Sequence, residues 1–207
     1  MEKIVVFNDY ANTNCAFDKA GGSPDYGQLL DYVSEGRFLV EAHSYVPIDP
    51  LNPHGRDHVI DDQWGAGWLV HTKVGARAGD TYKCDFDVEI TLDLMRTAEI
   101  VRPDIIVLLS GDRDFVPVML ELRRRGIRVE VAGFPGINAA REVMLKASGF
   151  IDLRTYLAER EATAEGTNAA LGGEDWAETG IDNEIADPET MALGGLSASH
   201  RELSSAT

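Results

Sequence analysis

The sequence predicts an α/β protein with a central, mostly parallel sheet. Short runs rich in β-branched residues alternate with stretches whose apolar residues recur at helical spacing, and this alternation is typical of βαβ units. The hydrophobic share of 44% is enough for a buried core. Since one domain commonly contains about 100 to 200 residues, the 207 residues fit one domain with an appendage.

The first half of the chain shows this alternation clearly. Its predicted elements are a strand at 4–8, a helix that begins near 24, a strand at 38–46, a long surface loop at 47–62 and a short helix at 63–70. Ser23 suits an N-cap and Pro24 the first helical turn, and Gly36 ends the helix. Pro, Asp, His and Gly dominate residues 47–62, which favours a loop there.

The second half contains the strongest strand prediction. Residues 105–109 form a continuous apolar run, which is typical of a central strand buried on both faces. A helix at 87–100 precedes this strand, and Gly126 closes a helix at 115–125. The remaining predicted elements are a strand at 129–132 and the segments 139–147 and 150–151, which complete the domain.

The charge is unevenly distributed along the chain. The formal net charge is −16, which argues against a protein that coats nucleic acid non-specifically. Residues 161–207 contain ten acidic residues and one basic residue, and their apolar residues are isolated. We therefore expect a folded domain at 1–160 and a disordered acidic tail at 161–207, which could contact a protein partner.

Targeting signals and cysteine or histidine sites are not expected. The chain has no apolar run of 18 residues and no signal-peptide pattern after Met1, so we expect a cytoplasmic protein without a membrane span. Cys15 and Cys84 are far apart and form no CxxC, which indicates ordinary thiols. His54 and His58 are four residues apart but lack a helical pattern, so they make a poor second metal site.

Acidic residues collect where the predicted strands end. Asp9 follows the first strand, and Asp112 and Asp114 follow the buried central strand. Ligands of an open α/β sheet bind at this edge. Asp87 begins the preceding helix, and Asp93 lies within it beside the apolar stripe, where an acid needs a partner or a cation.

Such a cluster of carboxylates is typical of a Mg²⁺ or Mn²⁺ site, and phosphodiester hydrolysis is its natural chemistry. Asp87 and Asp114 could instead cap helices, and Gly111 could serve only a turn. A haloacid-dehalogenase-type phosphatase would need an acid at position 11, which is Ala11. The glycines at 65 and 67 follow no predicted strand, which argues against a dinucleotide site.

Three motifs resemble those of NYN domains, which belong to the PIN-like nuclease superfamily. The segment 7–12, Phe-Asn-Asp-Tyr-Ala-Asn, resembles the family's strand-end Asp-x-x-Asn. The segment 83–88 continuing to Asp93 resembles its Lys, Asp-Val and helix-Asp pattern, and 110–115, Ser-Gly-Asp-Arg-Asp-Phe, resembles its Ser-Gly-Asp-x-Asp-Phe. The resemblance covers residues 3–155 and is strongest to the bacterial LabA-like subgroup.

The resemblance implies a PIN-like three-layer fold and a Mg²⁺- or Mn²⁺-dependent nuclease that cuts single-stranded RNA. It implies that catalysis involves Asp9, Asn12, Asp93, Asp112 and Asp114. It implies metal ligands among Asp9, Asp87, Asp93 and Asp112. It implies substrate contacts from Ser110, Lys83 and Arg113. Asn12 could equally form a turn, and Ser110 could only cap the strand end.

The sequence departs from the family pattern near the predicted site. Asn8 and Tyr10 stand where the family commonly has an apolar residue and a glycine. One extra residue precedes Asp87, so Asp85 is a rival for its role. Tyr10 could stack on a base or simply pack in the core.

Cations are needed to hold an RNA backbone beside an acidic site. The available cations are Lys73, Arg77, Lys83, Arg113, Arg123, Arg124, Arg125 and Arg128. The run at 123–125 could instead be a solvated face that complements the helix dipole. Two rival functions stay open, a non-catalytic binding module that acts through partners and a nucleotide phosphatase.

Overall fold

A computed structural model describes residues 1–171. Its six-stranded sheet has the order β3-β2-β1-β6-β7-β8, and every pair in it is parallel. Its strands are β1 Lys3–Asp9, β2 Phe38–Ile48, β3 Leu69–Val74, β6 Ile105–Leu109, β7 Arg128–Gly133 and β8 Gly149–Asp152. The remaining strands, β4 Ala76–Ala78 and β5 Thr81–Lys83, form an antiparallel hairpin. The predicted α/β fold with a parallel sheet is confirmed.

Helices cover both faces of the sheet and produce three layers. They are α1 Tyr10–Ala20, α2 Tyr26–Ser34, α3 Asp57–Gly65, α4 Asp87–Ile100, α5 Val116–Arg124, α6 Arg141–Lys146 and α7 Leu153–Leu171. One core lies between the sheet and α4 and α5, where Leu94 and Met119 are fully buried. The other lies beneath α1, α2 and α7, around Phe17, Leu29 and Leu153.

The region from 47 to 83 is where the predicted elements were wrong. Helix α3 overlaps the end of the predicted loop 47–62 and the start of the predicted helix 63–70. Strand β3 begins within that predicted helix, and the β4–β5 hairpin follows β3. Gly67 ends α3 with a positive φ of 89°, which a side chain other than glycine rarely adopts. Trp68 is buried after this turn and donates its indole N–H to the Tyr26 carbonyl, so the chain changes direction there.

Helix α1 was also missed by the sequence analysis. It begins directly after β1, with Asp9 as its N-cap, and its sequence YANTNCAFDKA lacks a regular apolar stripe. Helix α7 continues to Leu171, past the expected boundary at 160. The rest of the predicted acidic tail, 172–207, lies outside the described residues. Within residues 1–171, no helix is both long enough and apolar enough to span a membrane.

The register of the sheet fixes the position of the acidic residues. Strand β1 lies between β2 and β6, with Asp9 opposite Tyr45 and Asn8 opposite Leu109. The carboxyl ends of β1 and β6 therefore lie side by side. The amino ends of the strands, including Arg128 at the start of β7, lie at the opposite edge.

Candidate metal centre

Asp9 lies at the junction of β1 and α1. Its carboxylate accepts a hydrogen bond from the backbone N–H of Asn12 at 3.3 Å and another from the Ser110 hydroxyl at 3.1 Å. Burial, with a smaller contribution from the charges of Asp87 and Asp112, raises the pKa of Asp9 to about 6 despite these two bonds. Asp9 is therefore an acid that the fold holds in place at an electrostatic cost.

The loop after β6 carries the second group of acids. Ser110 is fully buried, and its hydroxyl oxygen accepts the backbone N–H of Asp112 at 3.2 Å while donating to Asp9. Asp112 caps a short 3-10 turn, Arg113–Phe115, by accepting the N–H of Asp114 at 3.0 Å. Ser110 thus ties the two strand ends together.

Gly111 has a packing role as well as a place in this loop. A Cβ atom at this position would lie 2.0 Å from the carbonyl oxygen of Asn138 and 2.3 Å from its carbonyl carbon. The amide of Asn138 also donates to the Asn12 side-chain oxygen at 2.7 Å. Asn138 was not among the predicted site residues, because it follows β7 without any acidic or motif residue beside it.

Three carboxylates, those of Asp87, Asp112 and Asp114, lie close together at this loop. One carboxylate oxygen from each of Asp87, Asp112 and Asp114 lies within 4.8 Å of the others. Among residues 1–163, where side chains are described, this is the one group of three or more acidic, histidine or cysteine side chains that is close enough to share a metal ion. Burial raises the pKa of Asp87, and the charges of Asp112, Asp85 and Asp114 add to the effect.

A cavity of about 210 Å³ lies against these acids, and we call it the carboxylate cavity. It is lined by Asp9, Ala11, Asn12, Cys84, Asp85, Phe86, Asp87 and Asp112. Asp85 lines the same cavity as Asp87 and is exposed, so it stays a rival for the role of Asp87.

Asp93 does not line the carboxylate cavity. It lies six residues after Asp87, which is about 9 Å further along α4. The Tyr45 hydroxyl donates to its carboxylate at 2.9 Å and Arg96 donates at 3.0 Å. Asp93 therefore has two hydrogen-bond partners, Tyr45 and Arg96, and does not need a cation to stabilise it beside the apolar stripe.

Tyr45 connects Asp93 to a group of stacked aromatic and histidine rings, which was not among the predicted site residues. His43 and His71 are hydrogen-bonded at 3.1 Å, and His71 stacks on Tyr45 with ring centroids 4.6 Å apart. Glu41 contacts the other ring nitrogen of His43 at 3.1 Å. Burial lowers the pKa of His71, and the neighbouring His43 adds to this shift. These residues are far apart in sequence, and strand pairing between β2 and β3 brings them together.

The predicted substrate residues differ in their exposure. Arg113 is exposed beside Asp112, and Lys83 is exposed immediately before Cys84 in the cavity wall. Ser110 is buried and bonded to Asp9, which favours a structural role for its hydroxyl.

Most of the other cations considered from the sequence have partners or lie elsewhere. Arg124 and Arg125 bond to Glu121 at the end of α5, and Arg128 bonds to Glu2, all at the amino edge of the sheet. Lys73 pairs with Glu89 at 2.6 Å. His54 pairs with Asp57 at 2.8 Å.

Asn8 and Tyr10, where the sequence departs from the family pattern, both pack inside the domain. Asn8 is buried and donates to Ser44 at 3.0 Å. Tyr10 is 5% exposed, and the guanidinium of Arg56 lies over its ring.

Comparison with known proteins identifies the family of this chain. A family model of the NYN domain matches residues 3–154. The chain belongs to the NYN domain family. The "Low amplitude and bright protein LabA" of Synechococcus elongatus is 30% identical to it over 173 residues, which cover 77% of this chain and 89% of LabA. The LabA-like resemblance is thereby confirmed.

A solved structure supports the NYN fold. The crystal structure of a Vibrio parahaemolyticus protein of unknown function is 28% identical, with a TM-score of 0.60, and the match covers 73% of this chain and 93% of that one. Membership of the NYN family and the aspartate group together support a nuclease-type or RNA-related module.

Proposed function

We propose that this NYN protein is a divalent-metal-dependent nuclease that hydrolyses phosphodiester bonds of single-stranded RNA. The observation that carries the proposal is the approach of Asp87, Asp112 and Asp114 to within 4.8 Å of one another, at the strand ends of an NYN domain. Three like charges at this separation repel one another unless a cation lies between them.

The donor set fits Mg²⁺ or Mn²⁺. All three donors are carboxylate oxygens, which hard cations prefer. One oxygen from each carboxylate lies within 4.8 Å of the others, so the three side chains are close enough to serve a single ion. Asp87, Asp112 and Asp114 would hold the ion, and Asp9 lines the carboxylate cavity together with Asp87 and Asp112. A bound divalent ion supplies positive charge that stabilises developing negative charge on phosphoryl oxygens.

The residues of the chain prepare this position. Ser110 and the first turn of α1 hold the Asp9 carboxylate in the cavity wall, where it would add to the negative charge that attracts the ion. Asn12 is a positioning residue, because its side-chain oxygen accepts the N–H of Gly111 and so fixes the loop that carries Asp112. Arg113 and Lys83 are exposed beside the carboxylates and are available for substrate phosphates.

Cleavage of labelled single-stranded RNA by the purified full-length protein tests the proposal. We expect cleavage with Mn²⁺ or Mg²⁺, no cleavage with EDTA, and loss of cleavage in Asp112→Asn. Asp61→Asn is a matched control, because Asp61 is an exposed acid on α3. Folded protein that cuts no RNA with either metal would favour a non-catalytic binding module. Turnover of mononucleotides without RNA cleavage would favour a phosphatase.

A further inference from the structure

Two further cavities lie next to the carboxylate cavity. The carboxylate cavity shares Ala11 and Cys84 with a second cavity of about 390 Å³. The second cavity shares Arg56 and Tyr82 with a third of about 150 Å³. Because each cavity shares wall residues with the next, the three lie in series. We call the second and third cavities the Arg56 groove.

Arg56 supplies positive charge to this groove. Among the described residues that line the three cavities, it is the one lysine or arginine. Its guanidinium lies 5.1 Å from the centre of the Tyr10 ring and donates a hydrogen bond to the carbonyl oxygen of Pro47. No ion pair joins it to a carboxylate in the described part of the chain, in contrast to Arg37, Arg96 and Arg128. The Tyr10 ring and the Pro47 carbonyl hold the guanidinium in place, and its remaining N–H groups are available to bind an anion.

Two acids also line the groove, but each already accepts a hydrogen bond. Asp18 accepts from the side chain of Asn14 at 3.2 Å, and Asp49 accepts from the backbone N–H of Leu51 at 2.8 Å. Because carboxylates repel a phosphate, the guanidinium of Arg56 is the group in the groove that would bind one.

Tyr82 adds an aromatic surface to the same walls. It lies on β5 and its residue is only partly buried. Its ring packs closely on Gly75, where a Cβ atom would lie 2.4 Å from the Tyr82 Cδ2 atom. The β4–β5 hairpin thus holds an aromatic ring beside the guanidinium, and single-stranded nucleic acid is commonly bound by stacking on such rings.

We infer that the Arg56 groove binds the RNA strand on one side of the bond that is cut, with Arg56 on a backbone phosphate and Tyr82 stacked on a base. This inference rests on the proposed function, because the carboxylate cavity is the place of cleavage from which the groove leads. A single strand fits this pairing of groups, since its bases are free to stack while its phosphates face a cation.

Binding of a fluorescein-labelled single-stranded RNA to the full-length protein, with Ca²⁺ in place of Mn²⁺, tests the groove. We expect Arg56→Ala to weaken binding about tenfold and to lower the slope of log affinity against log salt by about 0.7, since one phosphate contact is lost. Tyr82→Ala should weaken binding by about tenfold without changing the slope, and Tyr82→Phe should restore it. Arg124→Ala removes an equal charge at the opposite edge and should change neither quantity. Thermal melting shows that each variant is folded.

Hydrolysis of bis(p-nitrophenyl) phosphate separates the two levels of the proposal, because this small ester needs only the carboxylate cavity. If the wild-type protein hydrolyses the ester and RNA while Arg56→Ala binds RNA like Arg124→Ala, the groove inference is overturned and the proposed function stands. If the wild-type protein binds RNA but hydrolyses neither substrate, and the Arg56→Ala variant binds RNA more weakly, the proposed function fails and the groove inference stands. A wild-type protein that binds no single-stranded RNA overturns the groove.

Discussion

The side-chain oxygen of Asn12 accepts a hydrogen bond of 3.0 Å from the backbone N–H of Gly111. Asn12 lies in the first turn of α1, after the strand that ends in Asp9, and Gly111 lies between β6 and Asp112. The same oxygen accepts the side-chain amide of Asn138 at 2.7 Å. One amide oxygen therefore joins the segments that follow β1, β6 and β7.

Asn12→Ala should destabilise the protein. It leaves the Gly111 N–H and the Asn138 amide without their acceptor, which we expect to cost about 1 to 3 kcal/mol of unfolding free energy. Asn12→Asp keeps an acceptor oxygen but adds a negative charge beside the acids of the cavity, so it should recover only part of this loss. The measurement is urea unfolding. Asn14→Ala, two residues further along α1, should cost less than about 0.5 kcal/mol, since it loses one exposed bond to Asp18. Equal losses of unfolding free energy in Asn12→Ala and Asn14→Ala would contradict the role of Asn12 in joining the three segments.

Gly111→Ala should be strongly destabilising. The added Cβ would lie 2.0 Å from the Asn138 carbonyl oxygen, and backbone atoms cannot move away as freely as a side chain can. We expect a cost of at least about 2 kcal/mol, together with loss of metal-dependent activity as Asp112 shifts. Gly65→Ala is the matched control, because nothing lies within 4 Å of its Cβ position, and it should be neutral or slightly stabilising. A normal melting temperature for Gly111→Ala would show that the loop can move.

Asp87→Asn and Asp93→Asn should differ in their effect on metal binding. Asp87 lies with Asp112 and Asp114, whereas Asp93 bonds to Tyr45 and Arg96. We expect Asp87→Asn to weaken Mn²⁺ binding by about tenfold or more, measured by titration calorimetry. Asp93→Asn should have a much smaller effect on Mn²⁺ affinity. The reverse order would show that Asp93, rather than Asp87, is a metal ligand.

Asp9→Asn should change how the stability of the metal-free protein depends on pH. The pKa of Asp9 is raised to about 6, above the value of about 4 for an unfolded aspartate. The folded protein therefore binds a proton more readily between these values, and its stability falls as pH rises from about 4 to 6. Asparagine keeps the acceptor oxygen without the charge. In EDTA near neutral pH, the variant should be more stable by about 2 kcal/mol.

Thermal melting across this pH range measures the effect. Asp61→Asn, at an exposed position, should behave like the wild-type protein. The prediction fails if Asp9→Asn lowers the stability of the metal-free protein near neutral pH.

The sequence predicted the parts of the fold that depend on local pattern. The buried run 105–109 became β6, and the helix 87–100 was placed with its correct bounds. Helix α1 and strand β3 were missed because their residues lack a regular apolar pattern. β3 is an edge strand whose residues are half exposed, and it is held by pairing with β2.

The sequence by itself determined the α/β class and the acids at the ends of β1 and β6, because apolar periodicity and parallel strand direction place those positions at one edge. Only the tertiary structure decided which of these carboxylates lie close enough together to share a metal ion. It paired Asp93 with Tyr45, grouped Asp87 with Asp112 and Asp114, and placed Arg56 beside Tyr82 in the groove. These contacts depend on the distances between segments far apart along the chain, and such distances are fixed only when the helices and strands pack together.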